Sequence, residues 1–85
     1  MAFNHPGPLW PVHIVVIPKP HIGSLLELGE FAITATALLR AVADIAKDIS
    51  QQHGASRVVT NLGKYQDVDH LAFHVSYGEP LAQDT

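Results

Sequence analysis

The longest regular pattern in this chain is helical, and it limits the folds that 85 residues can adopt. Between residues 30 and 52, apolar side chains recur at the spacing of one helical face, and polar residues fall away from it. Burying each large apolar residue contributes roughly 1.5–3 kcal/mol, so the helix needs another layer to cover it. The large side chains expected in the core are Phe31, Leu38, Leu39, Val42, Ile45 and Ile49.

Three segments with β-strand character supply that second layer. Residues 13–17 and 57–62 are β-branched runs, and in residues 68–77 apolar side chains alternate with other residues. A strand, a long helix and a hairpin in this order predict an α+β fold. We expect an antiparallel sheet of about three strands with the helix packed on one face, and Leu71, Phe73 and Val75 buried beneath it.

The length of the chain predicts a single domain over residues 1–85, with an ordered core of about 9–78. Residues 1–11 contain three prolines, which cannot donate to a sheet ladder, so we expect an extended or turning lead-in there. A core of this size is marginal alone, and the strands leave open edges. We therefore predict a homodimer.

The composition also narrows the classes of partner. The net charge of -3 offers no basic surface for nucleic acid. There are no cysteines, which excludes disulfides and thiolate metal sites. No apolar run is long enough for a membrane span, and the N-terminus lacks a signal-peptide pattern, so cytoplasm is the predicted location.

Histidine is the unusual component, with six among the 85 residues. On the predicted third strand, His70, Ala72 and His74 share one face, because side chains alternate along a strand. Four strand residues span roughly 13 Å, which is too far for His70 and His74 to hold one ion. We therefore predict no metal at this row, and no cofactor.

The row resembles the signature of the histidine triad (HIT) family, in which three histidines alternate with apolar residues. The residues that fit are Gln66, Val68, His70, Leu71, Phe73, His74 and Val75. Ala72 stands where the family carries its nucleophilic histidine. Residues 11–22 are similar to a second family segment, and residues 57–63, which include Asn61, are similar to a third.

The resemblance implies a chemistry as well as a HIT-like fold. In the family the middle histidine attacks the α-phosphorus of a nucleotide, and water or another acceptor resolves the nucleotidyl-histidine. By resemblance, His70 and His74 are the flanking catalytic histidines, around the nucleophile position held by Ala72. The residues that the resemblance places at the substrate are His13, Asn61, Gln66 and Asp67. A purine nucleotide is the implied partner.

Several positions depart from the family pattern. Ala72 has no group that can attack phosphorus. Asp67 stands where the family usually has Ser or Thr near the phosphate, and its carboxylate would repel an anion. His5 replaces an acidic residue that grips the ribose in many members, and we expect it to be exposed. The chain also starts late relative to the family, whose first hairpin lines the nucleoside pocket.

Three hypotheses about function follow from these observations. The first is a HIT-like nucleotide-binding protein, related to nucleoside phosphoramidate and dinucleotide hydrolases, whose activity is lost or reduced. The second is a family hydrolase inactivated by an engineered substitution at residue 72. The third is a non-enzymatic interaction module on a HIT scaffold. The sequence leaves the choice open, and it predicts an inactive chain as written because of Ala72.

Overall fold

A four-stranded antiparallel sheet forms one layer of the fold in the computed structural model, which describes residues 1–81. The strands are β1 (Ala2–Asn4), β2 (Val12–Val16), β3 (Arg57–Val59) and β4 (Phe73–Tyr77), in the spatial order β1-β2-β4-β3. The long helix α1 (Ala32–His53) packs against the sheet, mainly against β4. The predicted α+β arrangement is confirmed, with four strands instead of about three. The end of the predicted domain, residues 82–85, lies outside the described residues.

The additional strand is β1, which lies in the proline-containing lead-in and outside the predicted ordered core. Ala2 is paired with Val16 in the antiparallel register, and the Met1 amino group donates to the Ile17 carbonyl at 2.7 Å. The first proline, Pro6, comes only after the strand has ended. The prolines therefore limit the length of β1 without preventing it.

Two strands are shorter than predicted. β4 begins at Phe73 and not at residue 68, and β3 ends at Val59 and not at residue 62. The backbone N–H of Leu71 donates to the carbonyl of Ile22 at 2.6 Å, so this segment is bonded to the loop before α1 and not to a neighbouring strand. Apolar residues alternate with other residues from Leu71 onward, but residues 68–72 have no β-ladder hydrogen bonds to a neighbouring strand.

The ends of α1 follow local rules. Gly54 has a φ of 90°, in the left-handed region that favours glycine, and its N–H donates to the Ser50 carbonyl at 2.8 Å. A 3₁₀ helix (Leu25–Glu30) precedes α1, and the Ser24 hydroxyl accepts from the Leu26 N–H at 3.2 Å. The observed bounds of α1 lie within two residues of the predicted helix.

The core lies between α1 and the sheet. Its buried members are Val16, Ile22, Leu28, Leu38, Val42, Ile49, Leu71, Phe73 and Val75. Phe31 and Ile45 pack against this cluster while only partly buried. The prediction that Leu39 is buried is wrong, because this side chain is 51% exposed. It lies about 100° around the helix from Leu38, outside the narrow stripe that faces the sheet.

Several large apolar side chains remain uncovered beside and along the helix. Ile33 is 89% exposed, and Leu26, in the preceding 3₁₀ helix, is 81% exposed. Together with Leu39 they are called the exposed apolar residues below. Within residues 1–81, no helix has the length and apolarity needed to cross a membrane.

Candidate functional site

A cavity of about 350 Å³ opens beside β1, β2 and the start of β4. Its lining includes His70, Ala72 and His74, which the alternating pattern placed on one face. The other lining residues are Phe3, His5, Pro6, Val15, Ile17, Asn61, Gln66, Asp67 and Val68. The fold thus brings together all the predicted site residues except His13, which contacts the site through His74.

His13 is fixed by hydrogen bonds on both sides of its ring. Its Nδ1 accepts from the backbone N–H of Leu9 at 3.2 Å, and its Nε2 lies 2.8 Å from Nδ1 of His74. A backbone N–H can only donate, so a neutral His13 carries its proton on Nε2. His13 therefore donates to His74, whose own proton is then on Nε2. The ring of His74 can offer this N–H to the cavity.

Burial keeps these two rings neutral. His13 is only 4% exposed, and its burial, with smaller effects from His5 and His74, lowers its pKa to about 4. Burial also lowers the pKa of His74, helped by His5 and opposed by the carboxylate of Asp67. At neutral pH the pair therefore supplies hydrogen bonds to the cavity and no positive charge.

We expect His13 to stay in the Nε2–H form from pH 7.5 down to about pH 5. The rings that contact it are those of His5, His74 and Trp10. Two-dimensional ¹⁵N NMR of the imidazole nitrogens reads both the tautomer and the titration. The urea-unfolded chain is the control, because its histidines titrate near the ordinary value of about 6.5.

The lowered pKa of His13 also makes the stability of the fold depend on pH. Because the folded pKa of His13 is lowered, the unfolded chain binds more protons below about pH 6.5. The free energy of unfolding should be fully retained above that pH and should fall as the pH approaches 4, by on the order of 2 kcal/mol. A folded His13 that titrates near 6.5 would contradict this account.

His70 lies at the other end of the cavity, before β4 begins. Its Nδ1 is 3.3 Å from Nδ1 of His21, an exposed residue in the loop after β2. The side-chain amide of Gln66 donates to the carbonyls of Gly23 and His70. Gln66 therefore anchors the loop that carries His70, in addition to lining the cavity.

Sequence reasoning missed the contribution of His5. We expected this side chain to be exposed, but it is half-buried and lines the cavity. Its backbone N–H donates to the His13 carbonyl at 2.8 Å, which extends the β1–β2 pairing. Its ring stacks on His13, with centroids 4.4 Å apart. Only the unpredicted strand β1 brings the two rings together.

Ring nitrogens of His5, His13 and His74 lie within 4.8 Å of one another, which is the spacing of a metal triad. Two features oppose a shared ion in this arrangement. The His5 and His13 rings are stacked with only 15° between their planes, so one ion cannot lie in the plane of both. In addition, Nδ1 of His5 accepts a hydrogen bond from the Gly7 N–H at 2.9 Å, and Nδ1 of His13 accepts one from the Leu9 N–H. The ring proton of each neutral histidine is therefore on Nε2, and neither nitrogen has a free lone pair for a metal ion. The ring nitrogens of this cluster form hydrogen bonds and do not have the geometry of a shared metal site.

A single long helix on an antiparallel sheet, with a histidine-lined cavity at the central strands, defines a histidine-triad type of architecture. The family model of the HIT domain matches residues 1–80. The chain is 34% identical to an uncharacterised 13.2 kDa HIT-like protein of Azospirillum brasilense, over 95% of this chain and 70% of that protein. It is 39% identical to an uncharacterised HIT-like protein of Synechococcus elongatus, over 96% of this chain and 74% of that protein.

A solved structure agrees with these relatives. The HIT family hydrolase from Clostridium thermocellum superposes with a TM-score of 0.76 at 29% identity, covering 98% of this chain and 75% of that one. The chain belongs to the HIT family. Its fold and sequence are similar to those of a HIT family hydrolase.

Proposed function

We propose that this chain binds a purine nucleoside or nucleotide and does not form a nucleotidyl-histidine. The observation that carries the proposal is the position of Ala72. It lines the cavity between His70 and His74, where the family pattern has its nucleophile. The cavity therefore keeps the flanking histidines and lacks the attacking group. Its volume of about 350 Å³ falls in the range of small-molecule sites, about 300–1,000 Å³.

The polar groups at the cavity suit a ligand that both donates and accepts hydrogen bonds. His74 offers an N–H, and Asp67 offers a carboxylate at the opening. Asn61, which is exposed, adds an amide that can do either. The resemblance implied hydrolysis of nucleoside phosphoramidates or dinucleotides. This chain would not catalyse that reaction, because Ala72 cannot attack phosphorus.

We expect saturable binding of at least one of adenosine, guanosine and their monophosphates, measured by isothermal titration calorimetry. The Ala72→Leu variant should weaken it at least tenfold, because the larger side chain occupies the cavity. Ala55→Leu is the matched control, since Ala55 is exposed and lies outside this cavity. Absence of binding by all four compounds would contradict the proposal.

A homodimer is the second part of the proposal. The exposed apolar residues Leu26, Ile33 and Leu39 face solvent, and a second copy of the chain would remove from water those that it covers. Multi-angle light scattering at micromolar concentration should give the mass of two chains.

The cytoplasmic location predicted from the sequence stays a prediction.

A further inference from the structure

The fixed charge of the cavity lining would disfavour a phosphate group. The chain has five Lys and Arg residues, and none of them lines the cavity. Asp67 is the only Asp or Glu among the lining residues that the structure describes. The guanidinium of Arg57 lies outside the cavity, where it donates to the Ser76 hydroxyl and the Gly78 carbonyl. The fixed charge facing a ligand is therefore negative.

His74 does not compensate for that charge. His74 already accepts a hydrogen bond from His13 at Nδ1, so it presents one neutral N–H to the ligand. Cationic side chains are one means by which proteins bind anions, and no Lys or Arg is among the residues that line the cavity. A single neutral N–H can satisfy one acceptor atom of an uncharged ligand.

The remaining wall is apolar. Phe3 belongs to β1 and Val15 to β2, Ile17 directly follows β2, and Val68 lies in the loop before β4. Val15 is 5% exposed, while Val68 is 64% exposed at the opening. Such a wall favours a flat, poorly charged body such as a purine ring, since burying apolar surface is favourable.

We propose that this cavity selects an uncharged purine nucleoside over the corresponding nucleoside monophosphate. The inference rests on the proposed function and names the ligand class of the same site. The purine would lie against Phe3, Ile17 and Val68, and one of its acceptor atoms would take the N–H of His74. A phosphate group would add negative charge to a site whose lining, within residues 1–81, already carries the carboxylate of Asp67.

The test compares adenosine with adenosine monophosphate by calorimetry at pH 8 and low ionic strength, where an imidazole in water is uncharged. Adenosine should bind about tenfold more tightly than the monophosphate, as expected for a phosphate dianion a few ångströms from one carboxylate. The Asp67→Asn variant should reduce this difference to about twofold. Added salt should also reduce the difference in affinity between adenosine and the monophosphate, because salt screens exposed charges.

Asp69→Asn is the matched control. Asp69 is an exposed carboxylate two residues away that does not line the cavity, so its removal should leave the tenfold preference unchanged. Tighter binding of the monophosphate than of adenosine overturns this inference and leaves the proposed function standing. Equal effects of the two Asn variants also overturn it, because the discrimination would then come from net charge. Binding of neither compound nor of their guanosine counterparts overturns both proposals.

Discussion

A nucleoside phosphoramidate incubated with this chain is expected to stay intact, with no covalent nucleotidyl adduct on the protein. Residue 72 is the position from which the family attacks phosphorus, and here it carries a methyl group. His74 lies two residues further along the chain, about 6.6 Å away in an extended strand, whereas attack requires the reacting atoms about 3–3.5 Å apart. Its Nδ1 is also occupied by His13.

The size of the expected loss is large. Removing a covalent nucleophile costs on the order of 10⁶ in turnover in a different class of enzyme, which sets the scale here. Turnover is measured by release of the amine from an adenosine phosphoramidate, and the adduct by intact-protein mass spectrometry. The His74→Ala variant is the control. Hydrolysis by the unaltered chain that disappears in this variant would reveal another nucleophile and contradict the proposal.

Leu38→Ala should destabilise the fold by about 2–5 kcal/mol, while Leu39→Ala should cost less than about 1 kcal/mol. The two residues are adjacent in α1 and have the same side chain, but Leu38 is 5% exposed and Leu39 is 51% exposed. Truncating Leu38 leaves a cavity between the helix and the sheet, whereas truncating Leu39 removes surface that water already reaches. Urea unfolding followed by circular dichroism measures both changes.

The same pair of variants separates folding from assembly. If Leu39 lies in the interface of the proposed homodimer, Leu39→Ala should raise the dimer dissociation constant in light scattering across a dilution series. Unfolding is therefore measured at a concentration where the chain is monomeric. A cost for Leu39→Ala equal to that for Leu38→Ala in the monomer would mean that Leu39 is part of the core.

The sequence by itself determined the fold class, the long helix and the apolar residues of the last strand. These follow from local periodicity, since a helical stripe and a strand alternation each specify which side chains must be buried. It also identified the family and placed His70, Ala72 and His74 around one site. The partial errors at Leu39 and at the strand ends come from the same source, because periodicity gives the face of an element but not its partner.

Only the tertiary structure decided the chemistry of the cavity. The pairing of β1 with β2 put His5 on His13 and Phe3 at the cavity wall, and no pattern in the first residues predicts that pairing. The Leu9 N–H fixed the proton of His13, and His13 fixed that of His74, across 61 residues of sequence. Tautomer and pKa depend on burial and on contacts between distant residues, and these exist only once the chain has folded.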